Sequence, residues 1–315
     1  MKLKTKLASI LALSIVLISG NAYASNREKD TYIYGAGLND NQIQEVAHTL
    51  KIDTDTTLND NVGGDDTEKY LGYRANDYDM ISSVVVKKMP KGSGISIEIL
   101  TPDKITDITE SQYVNAAITA GVDDIDIKVA SPKPVTGESA LTGVYKAIEL
   151  NGDKIDTERS EVAQDELSTV NEINQENKQK DGFDAKKLDD VVIDVKQELQ
   201  KYKEENGEKA DSENLREIVI NTVNNYNLGD ILSNNNIESL IDYFNKYQNT
   251  DAVDSDKVME NLNNLKDTLT QKGQEIYEDN KSDIDNAYNK AKESGIFDKI
   301  KEFFINLVNE IKAMF

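Results

Sequence analysis

Two hydrophobic periods divide the chain. In the first half apolar residues alternate with polar ones: Ile95, Ile97 and Ile99 around Ser96 and Glu98, then Ile125, Ile127 and Val129 around Asp126 and Lys128. A period of two is that of a strand with one buried face. Val84-Val85-Val86 within residues 79–89 predicts another strand, as does the run 31–35. Pro90-Lys91-Gly92-Ser93-Gly94 is turn chemistry, so 79–89 and 95–99 are expected to pair as a hairpin. Between strands the period becomes helical. Ile43, Val46, Ala47 and Leu50 share one face of a helix capped by Asn39 with Gln42. Thr109-Glu110-Ser111-Gln112 is a capping box opening a helix that stops at Gly121. Thr136 is the expected N-cap of a helix reaching about residue 150, and residues 53–66 read as an acidic loop or short strand.

After residue 150 the helical period takes over. The stripes are Val162, Leu167, Val170 and Ile173; Leu188, Val191, Val195, Leu199 and Tyr202; Leu215, Ile218, Val219, Val223 and Tyr226; Ile237, Leu240, Ile241, Phe244 and Tyr247; and Val258, Leu262, Leu265, Leu269 and Ile276. Asn234-Asn235-Asn236 reads as a turn. Such helices need partners to bury their stripes. The expected class is α+β: an N-terminal mixed α/β domain with a small sheet, then an all-α C-terminal region arranged as a bundle or an extended array.

Composition supports that division. All four prolines (Pro90, Pro102, Pro132, Pro134) precede Val135, and Asn151-Gly152-Asp153 is the expected junction. The expected parts are a leader at 1–24, a mixed domain at 25–150, a helical region at 151–295 and an amphipathic helix at 296–315. The leader reads as a signal peptide. Lys2, Lys4 and Lys6 precede a short apolar run, and Ala22-Tyr23-Ala24 offers small residues at the cleavage positions Ala22 and Ala24. The apolar run is short for a membrane span, so the expectation is a secreted or cell-surface protein beginning near Ser25.

Charge narrows the partners. With 58 acidic against 36 basic residues the chain carries −22, and losing the leader removes three lysines and no acid. That field repels nucleic acid and anionic headgroups. There is no cysteine, which excludes disulfides, a lipid-modified cysteine and the common zinc sets.

One stretch resembles a known family. It runs Tyr113-Val114-Asn115-Ala116-Ala117-Ile118-Thr119-Ala120-Gly121, then Val129-Ala130-Ser131-Pro132, then Val135-Thr136-Gly137-Glu138-Ser139-Ala140-Leu141-Thr142-Gly143-Val144-Tyr145-Lys146-Ala147. Lys69-Tyr70-Leu71 and Gly94-Ile95-Ser96-Ile97 extend the likeness upstream. Over residues 31–150 the chain resembles the YpuA-like family of exported proteins from Gram-positive bacteria, a domain of unknown function. The resemblance implies compartment and organism class and supplies no activity or catalytic residue.

Three groups are candidates for chemistry or contact. Thr136, Gly137 and Ser139 open a helix, where free N–H groups favour an anion, although Glu138 beside them answers the dipole internally. Asp53, Asp55, Asp60, Asp65 and Asp66 supply oxygen ligands suited to calcium, but Leu58 and Gly64 stand where an EF-hand needs glycine and glutamate. Phe297, Ile300, Phe303, Phe304, Leu307, Val308 and Ile311 form a broad apolar face that closes the bundle or contacts an envelope component or membrane surface. His48 is the one histidine, and nothing fixes it against Ser82 and Ser83 as a nucleophilic set. The expected function is a non-enzymatic exported interaction protein with no cofactor. An envelope hydrolase using carboxylates and a calcium-dependent binder are the alternatives.

Overall fold

A computed structural model describes residues 30–53, 57–105 and 107–271. Five strands form one mixed sheet: β1 Thr31–Gly35, β2 Leu58–Val62, β3 Ser83–Lys88, β4 Ile95–Ile99 and β5 Ile125–Ala130. Their order is β2-β1-β3-β5-β4. β1 and β2 are parallel, as are β4 and β5, while β3 runs antiparallel to both β1 and β5. Helices α1 (Asp40–Thr49) and α3 (Glu110–Thr119) make the two parallel crossovers, and α2 (Gly64–Leu71) leads from β2 toward β3.

The expected hairpin between β3 and β4 does not form, because β5 lies between them. The turn after β3 passes around the start of β5. Met89 N–H donates to the Asp124 carbonyl at 2.7 Å, and Gly94 N–H donates to Asp124 Oδ1 at 3.0 Å. Ile95 and Ile97 then face Ile125 and Ile127 in parallel register. Each of the two inner positions beside β5 thereby gains a buried β-branched neighbour, which a two-stranded hairpin cannot supply.

Both sheet faces are covered where they are apolar. Tyr32, Val85 and Ala130 pack with Val46, Ala47 and Leu50 of α1. On the opposite face α4 (Ser139–Leu150) crosses the sheet at Gly143, where an added Cβ would lie 3.1 Å from Val84 Cγ2. Both predicted capping boxes are present, Asn39 with Gln42 and Thr109 with Gln112. The N-cap of α4 is Glu138 instead of the expected Thr136, so the helix begins at Ser139.

Four long helices follow the loop after Asn151: α5 Thr157–Asn177, α6 Ala185–Asn206, α7 Ser212–Asn225 and α8 Asn234–Tyr247. Ser233 caps α8 with Asn236 as its box partner, so the asparagine run expected as a turn is its first turn. The helices pack on the sheet part: α5 on α2 and α3, and α6 on α3. The described residues up to Leu262 form one compact unit. The described residues of the second unit, 263–271, are helical. The face around Phe297, Ile300, Phe303, Phe304, Leu307, Val308 and Ile311 and the cleavage residues Ala22 and Ala24 lie outside the described residues.

Candidate functional site

The carboxyl ends of β1 and β2 open into Gly35-Ala36-Gly37 and Gly63-Gly64. In open α/β sheets this edge is where ligands and partners are held. Here residues 72–81 lie across it. A Cβ on Gly35 would be 2.2 Å from the Met80 carbonyl oxygen, and one on Gly64 would be 2.2 Å from that of Ala75. Glycine is therefore required for backbone to touch backbone. The crossing loop is pinned along its length. Gly64 N–H donates to Asp77 Oδ1 at 2.7 Å, Ala75 N–H to Thr67 Oγ1 at 2.8 Å, and Gly37 N–H to the Met80 carbonyl at 2.9 Å. Asp77 thus sits on the first turn of α2, where the helix dipole favours a carboxylate. The loop presents two tyrosines, Tyr73 at 51% and Tyr78 at 79% exposure. Partial burial raises the Tyr73 phenol, and Glu138 and Asp165 add to the shift. Arg74 pairs with Asp65 and Glu68 beside it.

Of the expected calcium carboxylates, Asp60, Asp65 and Asp66 are engaged with cations and caps. Lys146 Nζ lies 3.4 Å from Asp60 and 3.0 Å from Asp66, and Asp66 Oδ2 accepts from Gly63 N–H at 2.9 Å. Asp65 pairs with Arg74, Asp53 is exposed and Asp55 lies outside the described residues. Among the described residues no group of three or more His, Asp or Glu side chains is placed to hold a metal ion. At the α4 start, Thr136 is exposed while Gly137 is buried with φ +101°. The Gly137 carbonyl accepts from the Tyr113 hydroxyl at 2.5 Å, and Glu138 accepts from Asn171 Nδ2 at 3.0 Å. Ser139 is half-buried, and His48 is exposed while Ser82 and Ser83 are buried.

A second constellation was invisible to periodicity. Lys196 on α6 is fully buried, and its Nζ donates to Glu166 Oε2 at 2.8 Å, Thr119 Oγ1 at 2.7 Å and Asn115 Oδ1 at 2.7 Å. The Tyr243 hydroxyl also donates to Glu166 Oε2, at 2.6 Å, and the Tyr247 ring centroid lies 5.4 Å from Lys196 Nζ. Four helices (α3, α5, α6 and α8) meet at this cluster. Burial pulls the Lys196 ammonium below the usual lysine range, with Glu166 opposing. Nearby, Asp189 of α6 is buried and accepts from Gln112 Nε2 at 3.0 Å and Thr109 Oγ1 at 3.1 Å. Burial pushes its carboxyl up to about 7, the two hydrogen bonds pull against that, and Asp190 and Asp184 add to it.

The fold defines a mixed α/β sheet protein whose helices α2 and α3 carry a second helical layer. The family model described as a protein of unknown function (DUF1002) matches residues 34–265, and the chain belongs to that family. The match runs past the resemblance at 31–150 and takes in α5 to α8. The chain is also 28% identical over 287 residues to the uncharacterized protein YpuA of Bacillus subtilis (strain 168), covering 89% of this chain and 88% of that protein. No solved structure matches.

Proposed function

We propose that this protein is exported and acts without catalysis, as a contact protein of the cell envelope whose binding surface is the loop 72–81. The observation that carries the reading is Tyr78, 79% exposed on a loop whose neighbours are fixed by backbone packing and the Asp77 cap. An aromatic side chain on a preordered loop loses little conformational freedom on binding, and tyrosine is enriched among residues that dominate interfaces. The exposed carboxylate of Asp79 beside it, in a chain of net charge −22, favours a neutral or basic partner. The leader expected at 1–24 supports export, and the apolar residues whose spacing predicts a helix face at 296–315 would offer a second contact in the same reading.

Sedimentation with washed envelopes of the producing cells tests the surface. Purified wild-type protein should pellet with envelopes, and a Tyr73→Ser/Tyr78→Ser variant of unchanged melting temperature should stay in the supernatant. Equal pelleting of the two would remove the loop as the contact surface.

A further inference from the structure

We propose that Lys196 and Asn115 are an intramolecular cross-linking pair, joined through Lys196 Nζ and Asn115 Cγ as an isopeptide amide with Glu166 as the proton-transfer group. The required groups already touch. The amine lies 2.7 Å from the Asn115 carboxamide oxygen and 2.8 Å from Glu166 Oε2. All three residues are buried, with exposures of 0% for Lys196 and 2% each for Asn115 and Glu166. A dry site matters twice: it favours the free amine over the ammonium, and it keeps water from competing for the carbonyl carbon. Burial acts on Lys196 in that direction. Glu166 Oε2 is held by Thr119 and Tyr243, while Glu166 Oε1 is buried with no hydrogen-bond partner. An orphaned oxygen on the carboxylate that pairs with the amine is an available proton acceptor.

The step balances without an oxidant or reductant. The Lys196 ammonium first gives a proton to Glu166, and the free amine attacks Asn115 Cγ. The Nζ–Cγ bond forms and the Cγ–Nδ2 bond breaks. Glu166 passes its proton to Nδ2 and accepts one of the two protons left on Nζ, which it then yields to the leaving ammonia, while the other stays as the amide N–H. One ammonium side chain and one carboxamide become one secondary amide and one ammonium ion. The product ties α3, a helix of the sheet part, to α6 of the helical part. In a chain with no cysteine this is a covalent brace that needs no disulfide.

Intact-mass measurement of the purified protein under denaturing conditions decides the matter, once peptide mapping has fixed its two ends. The expected result is a mass lower than the sequence by one ammonia, with fragments containing residues 115 and 196 recovered as one branched peptide. Lys196→Arg should restore the full mass. A wild-type mass equal to that of the sequence overturns the proposal, whether or not the variant folds. So does an ammonia loss that maps to another asparagine or persists in Lys196→Arg.

Discussion

Asp189 Oδ1 accepts a hydrogen bond from Gln112 Nε2 at 3.0 Å, so α6 grips α3 through its capping box. The box uses Gln112 Oε1 and the Thr109 hydroxyl oxygen for its own backbone N–H groups. Asp189 takes the hydrogens left over. This buried carboxyl is pushed up to about 7 from a starting value of 3.8. The folded chain therefore holds a proton that the unfolded chain releases. Stability is fullest below the unfolded value and falls as pH rises toward 7, by an amount on the order of a few kcal/mol. Urea unfolding across that range should show the decline, and Asp189→Asn should flatten it. A wild-type curve with the same slope as the variant would contradict the assignment.

Gly137 and Tyr113 form a second joint. The φ of +101° disfavours any side chain, and a Cβ would lie 2.5 Å from Tyr113 Oη. Gly137→Ala should cost about 1–3 kcal/mol. Tyr113→Phe removes the blocking atom along with its hydrogen bond, so the double variant should be less destabilised than the sum of the singles. Strict additivity in thermal melts would show that the two residues do not interact.

Among the described residues, Glu166 is the carboxylate that accepts from Lys196. Without Glu166 the cross-link cannot form, so Glu166→Ala leaves Lys196 as a buried ammonium with no counter-charge and should destabilise the fold by at least about 3–5 kcal/mol. A urea midpoint unchanged from wild type would contradict the buried pair.

The loop 72–81 separates stability from contact. Tyr78→Ser removes an exposed ring and should change stability by no more than about 0.5 kcal/mol. Gly64→Ala should do the opposite, since its Cβ collides with the Ala75 carbonyl and displaces the loop. Melting temperatures of the two variants check this directly: Gly64→Ala should fall well below wild type and Tyr78→Ser should not.

Local signals were legible in the sequence and nonlocal ones were not. Asn39 with Gln42 and Thr109 with Gln112 act within four residues, so residue type alone reveals them. The partner of β3 depends on where β5 docks, some forty residues on, and the turn at Pro90 carries no trace of that. The helical stripes were readable because each spans several turns. Lys196 was hidden within one: it follows Val195, and a lysine there reads as solvent-facing until Thr119, Asn115 and Glu166 are brought around it. The glycines of Gly35-Ala36-Gly37 carried a signal, a glycine-rich step from strand to helix, and their meaning lay in the distant loop that rests on them.

Fractionation of producing cells tests export and contact together. The wild-type protein should be recovered from the envelope fraction with Ser25 as its first residue, and the Tyr73→Ser/Tyr78→Ser variant should carry the same new terminus but appear in the medium. Recovery of uncleaved protein inside the cell, or the same distribution for both forms, would contradict the account.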